Sequence, residues 1–176
     1  MRLAHYQRQD TPQTLAQGME EYFALNPGLT KVSPDEPEAE LFLPHDACHV
    51  FFGCGTSLIE EGMVDLWTLA GSDVGWRRYA GFTKYLAAIE PKALARKIGY
   101  ATMALHLAAG APALVRTWIR GKRMQRRWPW DGYAHHYDDS LAALRRHYGV
   151  EVLHVPAWMR RASVTAGSQS SLARAS

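Results

Sequence analysis

Two glycines flanking one cysteine, Gly53-Cys54-Gly55, separate two stretches that each carry the signals of a helix, and this break constrains the fold more than any other feature of the chain. Upstream, Pro44 can open a short helix through Phe52. Downstream, Ser57-Leu58-Ile59-Glu60 has the form of a capping box, starting a second helix that runs to about Ala70 with Leu58, Met63, Leu66 and Leu69 as the expected buried positions. A glycine break of this length lets the second helix fold back along the first.

The residues on either side of the break make that hairpin chemically interesting. His45 and His49 are four apart, which places both imidazoles on one helical face within reach of one metal ion. On a straight helix Glu61, twelve residues beyond His49, would sit about 18 Å away and about 120° around the axis, too far to share that ion. Folded back, it can face the histidine pair. Two imidazoles and one carboxylate, with coordination positions left open, suit a divalent metal, Zn²⁺ first and Fe²⁺ or Mn²⁺ as alternatives. Asp46 can orient a histidine, accept a proton or favour the helix N-terminus, and Asp65, one turn beyond Glu61, is a carboxylate in reserve. The competing interpretation is a pair of surface or capping histidines. Cys48 points about 60° to 100° away from the histidine face, and both it and Cys54 are taken as small buried hydrophobes.

The rest of the chain is helical in pattern. Thr11 to Leu25 is expected to form a helix with Thr11 as N-cap and Pro12 at its first position, burying Leu15, Met19, Tyr22 and Phe23. A proline-rich surface connection follows as far as Pro44. After a turn at 71–75, helices are expected over Trp76–Ile89 and from Lys92 to about Ala109, with Gly110-Ala111-Pro112 breaking or kinking the chain before a basic helix from Ala113 to Arg127. Asp138 and Asp139 before Ser140, and Gly149 after Tyr148, mark a last helix, and Val150–Val155 can run extended. The fold class is therefore all-α: a compact single-domain bundle of about six to seven helices over residues 1–159 with a helix-break-helix metal site, and a disordered C-terminal tail over 160–176.

Two segments bear on location and partners. Residues 98–115 contain no charged side chain, but glycines, a proline, a histidine and a threonine dilute them, and eighteen residues is short for a span. A buried core helix, or one lining an apolar ligand cavity, is expected instead. Arg116, Arg120, Lys122, Arg123, Arg126 and Arg127 interleave with Trp118, Ile119, Met124, Trp128 and Trp130. That composition fits a helix on an anionic membrane surface, a nucleic-acid contact, or a solvated helix whose tryptophans anchor in the core. Val32–Trp76 holds nine acidic residues and no Lys or Arg, while Pro91–Trp130 holds nine basic residues and no Asp or Glu, so opposed faces that meet in the fold also account for the pattern. His106 is expected as a satisfied core histidine, and His135 and His136 either approach a substrate head group or belong to a polar loop before a helix. With two cysteines and no export signal, a cytoplasmic protein is expected.

His45-Asp46-x-x-His49, eleven residues, then Glu61 resembles the H-D-x-x-H-x11-E motif of the ubiquinone-biosynthesis family known as coenzyme Q protein 4, and Ser140–Val152 resembles that family's C-terminal helix. The resemblance covers roughly residues 15–150. It implies an all-helical protein, peripheral on the inner face of the cell membrane, that binds metal through His45, Asp46, His49 and Glu61 and handles polyprenylated quinone precursors. It further implies removal of the C1 carboxyl of the aromatic head group with oxidative replacement, a lyase-type decarboxylase or hydroxylase activity, and organisation of other quinone-biosynthesis proteins. The chain is shorter before the motif than typical members. A divalent metal, a prenylated lipid or quinone precursor, an anionic membrane surface and a second copy of the chain are the expected partners, and nucleic acid is not among them. A non-catalytic isoprenoid-binding scaffold and a metallohydrolase with Asp46 as base are the alternatives.

Overall fold

The computed structural model describes residues 3–29, 31–33, 35–36, 39–86 and 99–161. Among these residues are six α-helices and two short 3₁₀ turns, Tyr133–His136 and Met159–Arg161, but no strand, so the all-α expectation holds. Val150–Val155 pairs into no sheet; two isolated bridges, Thr14 with Ser140 and Ser72 with Trp128, are the only β-type contacts there. One apolar cluster runs from Tyr6 to Met159, which makes the described chain a single domain.

Helix α1 is Leu15–Leu25, and its N-cap is Thr14 rather than Thr11. Thr14 Oγ1 accepts from the Gln17 amide at 3.2 Å while Gln17 Oε1 accepts from the Thr14 amide at 3.0 Å. This reciprocal box satisfies two otherwise orphaned donors, which the Thr11-Pro12 pair has no means of doing. Helix α2 is Ala39–Phe52, so it starts five residues before Pro44, the expected first position, and carries that proline inside. Proline removes one amide donor near the helix start; burial of every residue from Pro44 to Phe52 outweighs that loss. The connection before α2 is correspondingly shorter than expected.

Helix α3, Leu58–Gly71, follows the glycine break and is capped by Ser57 as expected. Its phase differs: Ile59, Met63, Val64 and Trp67 are buried, whereas Leu58, Leu66 and Leu69 are half-buried. Trp67 stacks on Phe52 with ring centroids 4.9 Å apart, and a ring of that size decides which face turns inward. Helix α4 is Trp76–Leu86. The helical expectations for residues 87–98, and the tail expected after residue 161, lie outside the described residues.

Helix α5, Tyr100–Lys122, differs most from the expectation. It passes through Gly110-Ala111-Pro112 without ending, stops at Lys122 rather than Arg127, and is not a core helix: Leu105 and Val115 are 60% and 58% exposed. It meets α3 through a narrow stripe containing His106, Gly110, Thr117 and Gly121. A Cβ on Gly110 would come within 2.6 Å of Ile59 Cδ1, and one on Gly121 within 2.7 Å of Ala70 Cβ. The glycine that suggests a break in the sequence thus allows close packing. Pro112 is tolerated because it and Ala108, whose carbonyl loses its partner, both face water.

Helix α6, Leu141–Tyr148, matches expectation, with Ser140 as N-cap and Gly149 in the left-handed region at φ 71°. Its Arg145 is fully buried, and the guanidinium donates to the carbonyls of Tyr6, Arg8, Val50 and Phe51, tying the end of α2 to the N-terminal segment. Trp128 and Trp130 are also fully buried, Trp128 stacked on Phe51 with centroids 3.9 Å apart. Of the three tryptophans in the basic segment, these two anchor the core, and only Trp118 on α5 is exposed.

Candidate metal centre

The turn at Gly53-Cys54-Gly55 reverses the chain, and the reversal brings His45 and His49 of α2 against Glu61 of α3. One ligand atom from each of these three residues lies within 4.8 Å of the other two. His49 Nε2 is 3.4 Å from Glu61 Oε2. Donors about 2.0–2.2 Å from one ion at tetrahedral angles lie about 3.4 Å apart, so this pair already has ligand spacing. The imidazoles meet edge to face with centroids 4.8 Å apart. Both histidines are buried, while Glu61 is partly open.

Backbone geometry selects which nitrogen of His49 faces Glu61. His49 Nδ1 donates to the Gly55 carbonyl at 3.1 Å, leaving Nε2 as the basic nitrogen. The ring also stacks on Tyr22 of α1, centroids 5.2 Å apart. Burial by itself lowers the pKa of His49, but the carboxylates of Glu61, Asp46 and Asp65 outweigh it and raise the value to about 9. A metal cation is stabilised by the same surroundings, so the donor set fits a divalent ion.

Asp46 is buried one residue from His45 and lies outside the three-residue group. Its carboxylate and the Tyr22 hydroxyl influence each other's titration, the carboxylate adding to burial in raising the hydroxyl's pKa. Burial raises the Asp46 pKa to about 6, against the opposing effect of His45 and His49, so it can exchange a proton near neutral pH. Asp65 faces the other histidine, with Oδ1 3.7 Å from His45 Nε2.

The turn itself is held from behind. Gln7 Nε2 donates to Glu60 Oε1 at 3.3 Å and reaches the Gly53 carbonyl at 3.5 Å, while Ser57 Oγ donates to Glu60 Oε2 at 2.7 Å. The Tyr6 hydroxyl donates to the Cys54 carbonyl at 3.2 Å. Glu60, expected only as a capping residue, is buried against Gly55, where a Cβ would come within 2.8 Å of its Oε2.

Neither cysteine joins the centre. Both are free and buried, and burial pushes the Cys48 thiol up to about 12 and the Cys54 thiol in the same direction, so neither offers a thiolate. His106 is a satisfied helix histidine, Nδ1 donating to the Thr102 carbonyl at 2.8 Å. His136 bridges Asp139 at 2.8 Å and the Tyr148 hydroxyl at 3.1 Å, and His135 is exposed in the 3₁₀ turn before α6. The sequence pattern missed three supports of the centre: Tyr22, the Gly55 carbonyl and Glu60. Tyr22 was legible only as a buried position on α1, and no periodicity signals a backbone acceptor.

Comparison of the chain with protein-family models, curated proteins and solved structures gives no match.

Proposed function

We propose that this chain is a divalent-metal protein acting on a prenylated aromatic quinone precursor, in which the C1 carboxyl of the head group leaves as CO₂ and a hydroxyl takes its place, dioxygen with an external two-electron donor serving as oxidant and its second oxygen leaving as water. The convergence of Glu61 on His45 and His49 across the glycine turn carries this reading, because a straight helix would hold that motif carboxylate apart from the histidine pair. Bound there, the metal would supply Lewis acidity toward an aromatic carboxylate or a site for oxygen chemistry. The chain's own contribution is positional. The buried histidines close one side, the partly exposed Glu61 leaves the other open, and buried Asp46, next in sequence to His45, is the group proposed to take or return a proton.

A lipid-binding scaffold is the second reading, favoured by the outer side of α5. Tyr100, Leu105, Leu107, Val115, Trp118 and Ile119 are exposed there, with Arg116, Lys122 and Arg123 beside them. No helix among the described residues is long and apolar enough to cross a membrane, so attachment of such a face would be peripheral. In either reading the cell membrane's inner face, other quinone-biosynthesis proteins and a second copy of the chain are the proposed company.

Mass spectrometry of metals and lipids retained on the purified chain, combined with complementation of a quinone-deficient strain, separates the readings. One equivalent of metal and loss of quinone synthesis in His49→Ala support the enzyme. Retained isoprenoid with quinone synthesis intact in His49→Ala supports the scaffold. Absence of metal together with intact synthesis removes the metal reading.

A further inference from the structure

Asp65 follows Glu61 by one turn on α3, as His49 follows His45 by one turn on α2. The contacts cross: His49 Nε2 faces Glu61 Oε2 at 3.4 Å, and His45 Nε2 faces Asp65 Oδ1 at 3.7 Å. Antiparallel helices bearing residues at i and i+4 meet in this way, each histidine turn opposite one carboxylate turn. The two pairs are adjacent, since the imidazole rings touch edge to face. A third helix holds the second carboxylate, for the Tyr79 hydroxyl of α4 donates to Asp65 Oδ1, the oxygen that faces His45.

We infer that Asp65 is a fourth donor of the metal centre and that Tyr79 is its positioning residue. The inference rests on the metal-centre reading proposed above and extends its ligand set beyond the sequence motif. Asp65 lies outside the three-residue group and reaches only His45 of its members, so as fourth donor it would close on the ion when metal binds, completing a set of two imidazole nitrogens and two carboxylate oxygens. The carboxylate side is open, with Asp65 36% and Glu61 24% exposed, so water or an oxygen-bearing substrate reaches the ion from there. A set with as many hard oxygens as nitrogens suits Mn²⁺ and Fe²⁺ as well as Zn²⁺. Tyr79 holds the Asp65 oxygen that faces His45, which is how outer residues orient metal ligands.

The test uses the full chain, stripped of metal and titrated with Co²⁺, whose visible bands report the number and kind of donors. Asp65→Asn is expected to weaken Co²⁺ binding about tenfold or more and to change the band energies, with the far-ultraviolet circular dichroism unchanged. Tyr79→Phe is expected to weaken binding in the same direction by a smaller factor. If Asp65→Asn keeps the wild-type bands, and any loss of affinity disappears in high salt, Asp65 acts only as a distant charge and the inference is overturned. His49→Ala distinguishes this failure from failure of the centre itself. Wild-type Co²⁺ binding in that variant removes the metal centre, whereas lost binding there with unchanged bands in Asp65→Asn removes Asp65 alone.

Discussion

His49 Nε2 stands 3.4 Å from Glu61 Oε2, although eleven residues of chain and a full reversal of direction lie between them. The metal-centre reading depends on that approach, and the residues that secure it can be tested one by one.

The metal-free protein should lose stability as pH rises. His49 has its pKa raised from 6.5 to about 9, so the folded state holds a proton that the unfolded state releases. That contribution is complete below about pH 6.5 and disappears through about pH 9, with a size on the order of 3 kcal/mol. Metal binding displaces the same proton, so the increment in melting temperature given by Zn²⁺ should grow over that range. Thermal melts of the chelator-treated and Zn²⁺-loaded protein at pH 6 and pH 9 check both signs; parallel curves would contradict them.

Gly55→Ala should damage the centre from behind. The added Cβ comes within 2.8 Å of Glu60 Oε2, in a position closed by Gln7 and Ser57, and should cost about 1–3 kcal/mol. Because the Gly55 carbonyl accepts from His49 Nδ1, Zn²⁺ affinity should fall with stability. Adding Glu60→Ala relieves the clash, so denaturant melts of the double variant should show less destabilisation than the sum of the two single changes.

Arg145→Met should destabilise the fold by about 3 kcal/mol or more. It leaves the carbonyls of Tyr6, Arg8, Val50 and Phe51 without the guanidinium that joins them inside the core. Arg145→Lys should recover little, since an ammonium lacks the planar fork that serves four acceptors at once. Urea unfolding midpoints of the two variants measure this directly.

The thiols should be silent in the native state. Cys48 and Cys54 are buried and held protonated, so iodoacetamide at pH 8 should modify neither before unfolding and both afterwards. Native labelling of either, read by intact mass, would overturn their assignment to the core.

If the outer side of α5 docks on lipid, Leu105→Ser combined with Val115→Ser should abolish sedimentation with anionic vesicles while leaving the melting temperature within a few degrees, as both side chains are exposed. Wild-type binding should weaken as salt is raised, through screening of Arg116, Lys122 and Arg123. Unchanged sedimentation of the double variant would reject the face.

The legible parts of this chain were those governed by local chemistry. Gly149 after Tyr148 ended α6 as glycine must where φ is positive, and Ser57 capped α3 because its hydroxyl reaches a free amide. Where two local signals competed, the pattern misled: Thr14 with Gln17 outdid Thr11 with Pro12, and Pro44 and Pro112 sit inside helices that packing extends past them. The inward face of α3 also escaped, because its apolar residues spread around the helix and stacking of Trp67 on Phe52 chose among them.

From the sequence alone came the helical class, the break at Gly53-Cys54-Gly55 and the three residues His45, His49 and Glu61, since spacing along a helix and the freedom of glycine are properties of neighbouring residues. Tertiary structure alone decided that Asp65 faces His45, that Tyr22 lies against His49 and Asp46, that Trp128 and Trp130 belong to the core, and that α5 lies at the surface. Each of those facts is a meeting of segments distant in sequence, settled by which surfaces exclude water together, and no local periodicity encodes it.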